Sequence, residues 1–370
     1  VRVISHGAGI AGALLAAGAV WGDTAREPQL GLWAVAIPFA VFALVWGIVS
    51  NVLDGYIDEW VAKPAPHPLE GVPVPAAPPA PPPAPTPAGT YDAEAGRSLL
   101  GYAVGTGEPV WITWSGNAGA IVGGVPGSGK TASMLPVIAG LADRAELWIF
   151  DGKGSFDLQV FAPVAAMCSR SVELDALVET LAKLEQMIEL RATAVHTATG
   201  QHDFWAVPVA DREALGLFPV FLILDEAQVW LTSTGLKGEE RATVEGNIRG
   251  VRGLVQRGRF AGITTIATSQ KPSAATFPTL LRDCCSNKIA FRCTTSAQAR
   301  TVLGDVPDDA PAPSEIPGTA KGQCVVVSDS GAAVLTQAGY ADHKSLERYI
   351  AGVRKVPDQF EVAKKLAGKD

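Results

Sequence analysis

The sequence predicts an α/β fold with a mostly parallel central sheet, preceded by two transmembrane helices. Three observations carry this reading. From Tyr91 onward, apolar runs of strand length alternate with segments of helical period, the pattern of a parallel α/β sheet. A glycine-rich turn from Gly124 to Thr131 joins one such run to a helix start. Near the N-terminus lie two long stretches without a charged side chain.

Those two stretches come first in the chain. From Val3 to Trp21 no side chain is charged when His6 is neutral, and from Leu30 to Leu53 none is charged at all. A membrane span needs about 18 apolar residues; the first run just reaches that length and the second exceeds it. Gly22 to Gln29 is a short polar turn between them, and Trp21, Trp33, Trp46, Tyr56 and Trp60 sit toward the ends, as an aromatic belt would. Ala8 and Gly12, and Gly18 and Gly22, are spaced to let helices approach closely. Residues 1–62 therefore read as a hairpin anchor with spans at about 3–21 and 30–53. A cleaved signal peptide also fits the first run. The domain announced by the glycine-rich turn downstream weighs against it. The chain opens on Val1, which leaves room for residues upstream.

Residues 63–90 form a linker dominated by Pro and Ala, including Pro78-Pro79-Ala80-Pro81-Pro82-Pro83. Such a run extends as polyproline II, and at about 3.1 Å per residue it spans up to about 80 Å. A semi-rigid spacer is the reading; a ligand for proline-reading modules is the alternative. Residues 91–370 form the third region. The net charge of −7 is opposite to that of a polyanion binder, although an average conceals local patches. Cys168, Cys284, Cys285, Cys293 and Cys324 make no C-x-x-C pair, which suits reduced thiols in a cytosolic domain.

Within the third region, Val110 to Trp114 is a strand candidate, and Ala118 to Gly124 is a short buried strand feeding the glycine-rich turn. The turn, Gly124-Val125-Pro126-Gly127-Ser128-Gly129-Lys130-Thr131, fits G-x-x-x-x-G-K-[ST] in full, and a helix follows from Thr131 and Ala132. Its glycines let backbone N–H groups converge on phosphate oxygens, and the helix N-terminus favours the same negative charge. In this P-loop Lys130 reaches the β and γ phosphates, and the Thr131 hydroxyl holds Mg²⁺. Glu146 to Asp151 is a further strand, closing on Gly152-Lys153-Gly154, and Val172 to Val195 is an amphipathic helix with Leu174, Leu177, Val178, Leu181, Leu184 and Ile188 inward. Met187 reads as packing.

Val220 to Glu226 is an apolar strand that ends in two acids, Asp225 and Glu226, and it is hydrophobic enough to be central and buried on both faces. Ligands bind at such C-terminal tips. Asp225 is placed to hold Mg²⁺ and Glu226 to polarise an attacking water as general base. Gly262 to Gln270 is the next buried strand, with Gln270 at its tip, level with Asp225 by the strand pattern, where an amide can sense the γ-phosphate or orient the water. Asn287-Lys288-Ile289-Ala290 lacks the Asp of the guanine-reading N-K-x-D pattern, which tilts the nucleotide toward ATP.

Between Arg241 and Arg300 the basic residues 241, 249, 252, 257, 259, 271, 282, 288, 292 and 300 face only Glu245 and Asp283. This block can bind the phosphates of a polyanion without reading bases, and one of its arginines can reach a neighbour's nucleotide. A solvated helix face explains any single member equally well.

Gly107-Glu108-Pro109-Val110, the P-loop, Trp148 to Lys153, Leu222 to Glu226, Gly258 to Gly262, Ala267 to Ser273, Lys288 to Arg292 and Ala299 to Leu303 occur in an order that resembles the FtsK/SpoIIIE family of hexameric DNA pumps, over about Leu99 to Val327. The resemblance implies a RecA-like P-loop ATPase that forms a ring, anchors in the bacterial cytoplasmic membrane as a multi-pass protein with its motor in the cytoplasm, and moves double-stranded DNA. It implies Arg259 as a finger acting in trans, with Arg257 in reserve, and Lys237, Arg241, Lys271 and Arg282 as contacts to the DNA backbone. Ala341 to Asp370 is too short for the winged-helix DNA reader of chromosome-segregating relatives, so the likeness leans to plasmid or mobile-element transfer proteins with DNA-processing partners. A type VII protein-export motor and a conjugative coupling protein for single-stranded DNA share much of the same pattern. A nucleotide-gated scaffold that does not hydrolyse is a further reading, disfavoured by Glu226 and Gln270.

Overall fold

The computed structural model describes residues 90–117, 119–327 and 331–369. The two uncharged runs and the Pro/Ala linker lie outside the described residues, and among the described residues no helix is long and apolar enough to cross a membrane. The strands are β1 (Tyr91–Asp92), β2 (Arg97–Ala103), β3 (Pro109–Thr113), β4 (Gly119–Gly123), β5 (Glu146–Asp151), β6 (Met167–Ser169), β7 (Val220–Asp225), β8 (Ile263–Ser269), β9 (Asn287–Phe291), β10 (Gln323–Val327) and β11 (Ala333–Ala338). The helices are α1 (Lys130–Leu141), α2 (Leu174–Thr199), α3 (Val209–Ala214), α4 (Gln228–Leu231), α5 (Gly238–Arg257), α6 (Thr279–Cys284), α7 (Ser296–Leu303), α8 (His343–Ile350) and α9 (Gln359–Leu366).

All strands join one 11-stranded sheet in the order β1-β2-β11-β10-β9-β4-β8-β7-β5-β6, with β3 on β2. Its centre, from β9 through β4, β8, β7 and β5 to β6, is parallel as expected. Every residue of β4, β5, β7 and β8 is buried, so these strands are covered on both faces. Side-chain alternation splits them between two cores. Leu147, Ile149, Phe221 and Ile223 pack with α1 and α8 on one face. Trp148, Phe150, Leu222 and Leu224 pack with α2 and α5 on the other.

The start of the region departs from expectation. Tyr91 to Thr113 makes an antiparallel flank, not strand–helix units: β2 pairs antiparallel with β1, β3 and β11. The cause is length, because the few residues from Val104 to Glu108 can close a hairpin but cannot hold the crossover that a parallel pair needs. The helix expected over 172–195 runs from Leu174 to Thr199 and stops at Gly200, whose φ of 73° is the left-handed geometry of a helix end. Leu177, Leu181, Leu184, Met187 and Ile188 are buried, whereas Val178 is exposed.

The last thirty residues are built into the domain. Gln359, at the start of α9, is fully buried and uses all of its side-chain groups. Its Oε1 accepts from Arg191 Nη1 (3.0 Å) and the Phe218 amide (2.8 Å), and its Nε2 donates to Gly216 and Pro357 carbonyls. Arg191 itself is wholly buried in α2, donating also to the carbonyls of Ala261 (2.6 Å) and Phe218 (2.9 Å), with its guanidinium over the Phe204 ring. Burial pulls its pKa down to about 10 despite the nearby Glu146 carboxylate. Arg191→Met removes three satisfied acceptors' partner at once and should lower stability by about 3 kcal/mol. Urea unfolding checks this as a shift in midpoint at unchanged slope.

Candidate nucleotide site

Strand β4 delivers the chain to the P-loop and α1 takes it away, as the sequence requires. Gly127 and Gly129 hold φ of 75° and 95°. A Cβ at Gly129 would also lie 2.6 Å from the Gly322 amide nitrogen, so only glycine fits there. The loop is pinned by backbone bonds from three strand ends: Gly124 N–H to Ser269 O (3.2 Å), Val125 N–H to Arg292 O (2.9 Å) and Gly322 N–H to Ser128 O (2.9 Å). It borders a cavity of about 230 Å³ lined by Val125, Pro126, Gly127, Ser128, Gly129, Lys130, Thr131 and Ala132, with Leu135, Lys153, Asp157 and Gln270.

Beneath that loop the Lys130 ammonium is buried, 3.4 Å from Asp225 Oδ1, 3.5 Å from Glu226 Oε1 and 2.9 Å from Thr268 Oγ1. Thr268 is saturated: it accepts from Lys130 and from the Glu226 amide (3.4 Å) and donates to Asp225 Oδ1 at close range. Asp225 Oδ2 is buried without a hydrogen-bond partner, and so is Ser128 Oγ. An unpartnered carboxylate oxygen beside a P-loop, with the Thr131 hydroxyl on the first turn of α1, is a donor set that fits Mg²⁺.

Register explains why these groups meet. Leu224 lies opposite Ala267, which sets Thr268 beside Asp225 at the next step. Gln270 is therefore not level with Asp225; it stands two residues past that position, half-buried at the cavity wall. Its backbone N–H donates to Glu226 Oε2 at 3.1 Å. The expected position failed because alternation fixes which face a residue takes but not how far a neighbouring strand slides.

Glu226 is the one non-glycine residue with positive φ, 57°, among the described residues. That left-handed conformation turns its carboxylate under the P-loop, and it persists because neighbours hold both carboxylate oxygens. Gly152 allows this turn to form: its N–H bonds the Asp225 carbonyl (2.9 Å), and a Cβ there would come within 3.0 Å or less of both the Asp225 and Glu226 carbonyls. Asp151 pairs in register with Asp225. Burial pushes its carboxyl pKa up, against hydrogen bonds from the Ser155 hydroxyl and the Lys153 amide.

The basic residues separate into free and engaged. Arg241 ion-pairs with Glu245 (2.8 Å), Arg282 with Asp283 (2.8 Å), and Arg257 with Glu185 at close range. The two acids of the basic block are thus each spent on one arginine. Among the described residues, Lys237 and Lys271 are exposed without a side-chain partner, beyond the C-terminal ends of β7 and β8 respectively. Arg259 is also exposed, in a single 3-10 turn (Arg259–Ala261) before β8. The P-loop lies at the other end of that strand, about 20 Å away at about 3.3 Å per residue. Arg259 cannot reach the cavity of its own chain.

Thr268, Gln228, Lys153 and Asp157 were not singled out from sequence. A hydroxyl on the strand beside the acid-tipped strand was visible, but its level was not. Gln228, two residues past Glu226 on α4, places its Nε2 on Glu226 Oε2 at close range.

No protein-family model matches the sequence. A DNA translocase FtsK of Bradyrhizobium diazoefficiens is 24% identical over 242 residues, which is 56% of this chain and 28% of that protein, so the chain spans less than a third of its relative. Among solved structures, the pCW3 conjugation coupling protein TcpA, determined with ATPγS, superposes with a TM-score of 0.58 at 18% identity, over 71% of each chain. The cytoplasmic domain of the Thermomonospora curvata type VII secretion ATPase EccC gives 0.56 at 17% identity, over 72% of this chain and 32% of that one. The described region is therefore similar in sequence to part of an FtsK translocase and similar in fold to these two ATPases.

Proposed function

We propose that this chain is the ATP-hydrolysing motor of a membrane-anchored, ring-forming translocase of double-stranded DNA, working in DNA transfer or segregation. The observation that carries the reading is the buried contact of Lys130 with Asp225, Glu226 and Thr268 directly below a complete P-loop. ATP entering the cavity brings phosphates to converging backbone N–H groups, and Lys130 swings from the two acids to the β and γ phosphates. That exchange frees Glu226 Oε1, which takes a proton from the water attacking the γ-phosphorus as the bond to the β,γ-bridging oxygen breaks. Thr131 and Asp225 Oδ2 would hold Mg²⁺, which when bound offsets charge on the β and γ phosphates. Lys153 and Gln270 line the same wall.

Arg259 acts from a neighbouring subunit in this reading, because a cation a strand-length from its own cavity can complete only another one. The sequence likeness to an FtsK translocase supports DNA as the polymer; the likeness to a type VII ATPase is one of fold alone. Lys237 and Lys271 offer the free cations for phosphate contact, while Arg241 and Arg282 are occupied by acids. The N-terminal runs and linker supply the anchor in the bacterial cytoplasmic membrane and the spacer that holds the motor in the cytoplasm.

Turnover by the detergent-solubilised full chain should rise on adding linear duplex DNA. A rise with peptides or single strands only would replace the duplex reading by export or conjugative coupling. Glu226→Gln should keep nucleotide binding and lower the rate by about a hundredfold or more, whereas Lys130→Ala should lose both; fluorescent-nucleotide titration beside phosphate release separates the two. Arg259→Ala and Lys130→Ala proteins, each inactive, should regain activity when mixed, since the second donates an intact arginine to the first one's intact P-loop. Absence of any recovery on mixing places the finger elsewhere.

A further inference from the structure

Both oxygens of the Glu226 carboxylate are already occupied. Oε1 faces Lys130, and Oε2 accepts from the Gln270 backbone N–H at 3.1 Å and from Gln228 Nε2 at closer range. ATP binding draws Lys130 away, but nothing in the pocket competes for Gln228. A carboxylate that keeps a side-chain amide on Oε2 cannot turn, and it is held in a left-handed residue's fixed direction.

The orientation of Gln228 is itself enforced from outside the pocket. The Lys271 backbone N–H donates to Ser269 Oγ at 3.0 Å, using an acceptor site of that hydroxyl. The Ser269 proton goes to Gln228 Oε1 at 2.8 Å. With its oxygen held, Gln228 can present only its NH₂ to Glu226. Ser269 is fully buried, so this chain of donors is not diluted by solvent. A second bond, Thr232 Oγ1 to Thr276 Oγ1 at 3.4 Å, ties the segment after α4 to the segment after Lys271. The loops that end in Lys237 and begin at Lys271 are thus laced to each other and, through Ser269 and Gln228, to Glu226.

We propose that Gln228 is a positioning residue that restrains the catalytic glutamate, and that contact of the Lys237 and Lys271 loops with a polyphosphate backbone releases it. The inference rests on Glu226 as the base of the proposed ATPase. When Lys271 engages a backbone phosphate, its amide leaves Ser269, the hydroxyl can turn, and Gln228 loses the partner that fixed it. Glu226 then keeps only the Gln270 amide on Oε2, and its carboxylate can turn to bring Oε1, vacated by Lys130, to the proton of the attacking water. Stimulation by polymer is, on this account, removal of a restraint inside each subunit.

The test uses the full chain and linear duplex DNA. Gln228→Leu should raise the DNA-free kcat by about fivefold, the factor one net hydrogen bond represents, at unchanged KM for ATP, and reduce the stimulation ratio toward one. Ser269→Ala should move both quantities the same way and guards against a folding defect in the first variant. A residue with a merely structural role would lower kcat with and without DNA alike. DNA-free kcat unchanged or lower in both variants overturns the proposal. If the unaltered protein ignores duplex DNA yet both variants still turn over faster, the DNA reading fails and the restraint stands. If the variants keep the full stimulation ratio, the restraint fails and the DNA reading stands.

Discussion

The structure depends on one buried cation shared between two carboxylates. Lys130 is 3% exposed, and its ammonium has lost nearly all of its water. A charge in that position is tolerated only where protein groups replace the solvent, and Asp225, Glu226 and Thr268 do so. The converse holds for the acids: without Lys130 they would face each other and Asp151 across the ends of β5 and β7. Each half of the site compensates the charge of the other, and a ligand that brings negative charge to the lysine and positive charge to the acids can open the pair.

That constraint sets what the sheet must do. The P-loop lysine and the acids are separated by almost a hundred residues and come from β4 and β7, which do not touch. Strand β8 lies between them and supplies Thr268, the hydroxyl that contacts all three groups. The parallel order places every C-terminal tip at one edge, so one strand inserted between the two motifs both spaces them and bridges them. Gly123, Asp225 and Ser269 end their strands on that edge, and Gly152 lets the β5 turn pack under it.

Much of this was legible in the sequence because it is local. The P-loop is a contiguous pattern, the acid-tipped apolar run declares a central strand, and the Gly262 to Gln270 run declares its neighbour. What failed was non-local. Gln270 was expected level with Asp225, and a two-residue difference in strand register gave that place to Thr268. Tyr91 to Thr113 was expected to enter a strand–helix alternation and instead adds antiparallel strands, because turn length decides direction where composition does not. The hub formed by Arg191 and Gln359 joins residues 168 positions apart and has no motif at either end. The basic block looked uniform in sequence, and only the distances to Glu245, Asp283 and Glu185 separate engaged arginines from free ones.

The Arg191 hub also bears on how the two ends of the domain communicate. Its Nε donates to the carbonyl of Ala261, the last residue of the turn that begins with Arg259. The same guanidinium holds Gln359, whose backbone N–H donates to Glu146 at the start of β5. The turn carrying Arg259 is therefore bolted to α2, α9 and the N-terminal ends of the central strands. The acids and the P-loop occupy the opposite ends of those same strands. Close-packed parallel strands buried on both faces deform little along their length, so a shift of one edge is carried to the other as a rigid displacement. The turn that carries Arg259 is by this construction held in fixed relation to the cavity at the far end of β8. The position of that turn is therefore set by this chain's own sheet.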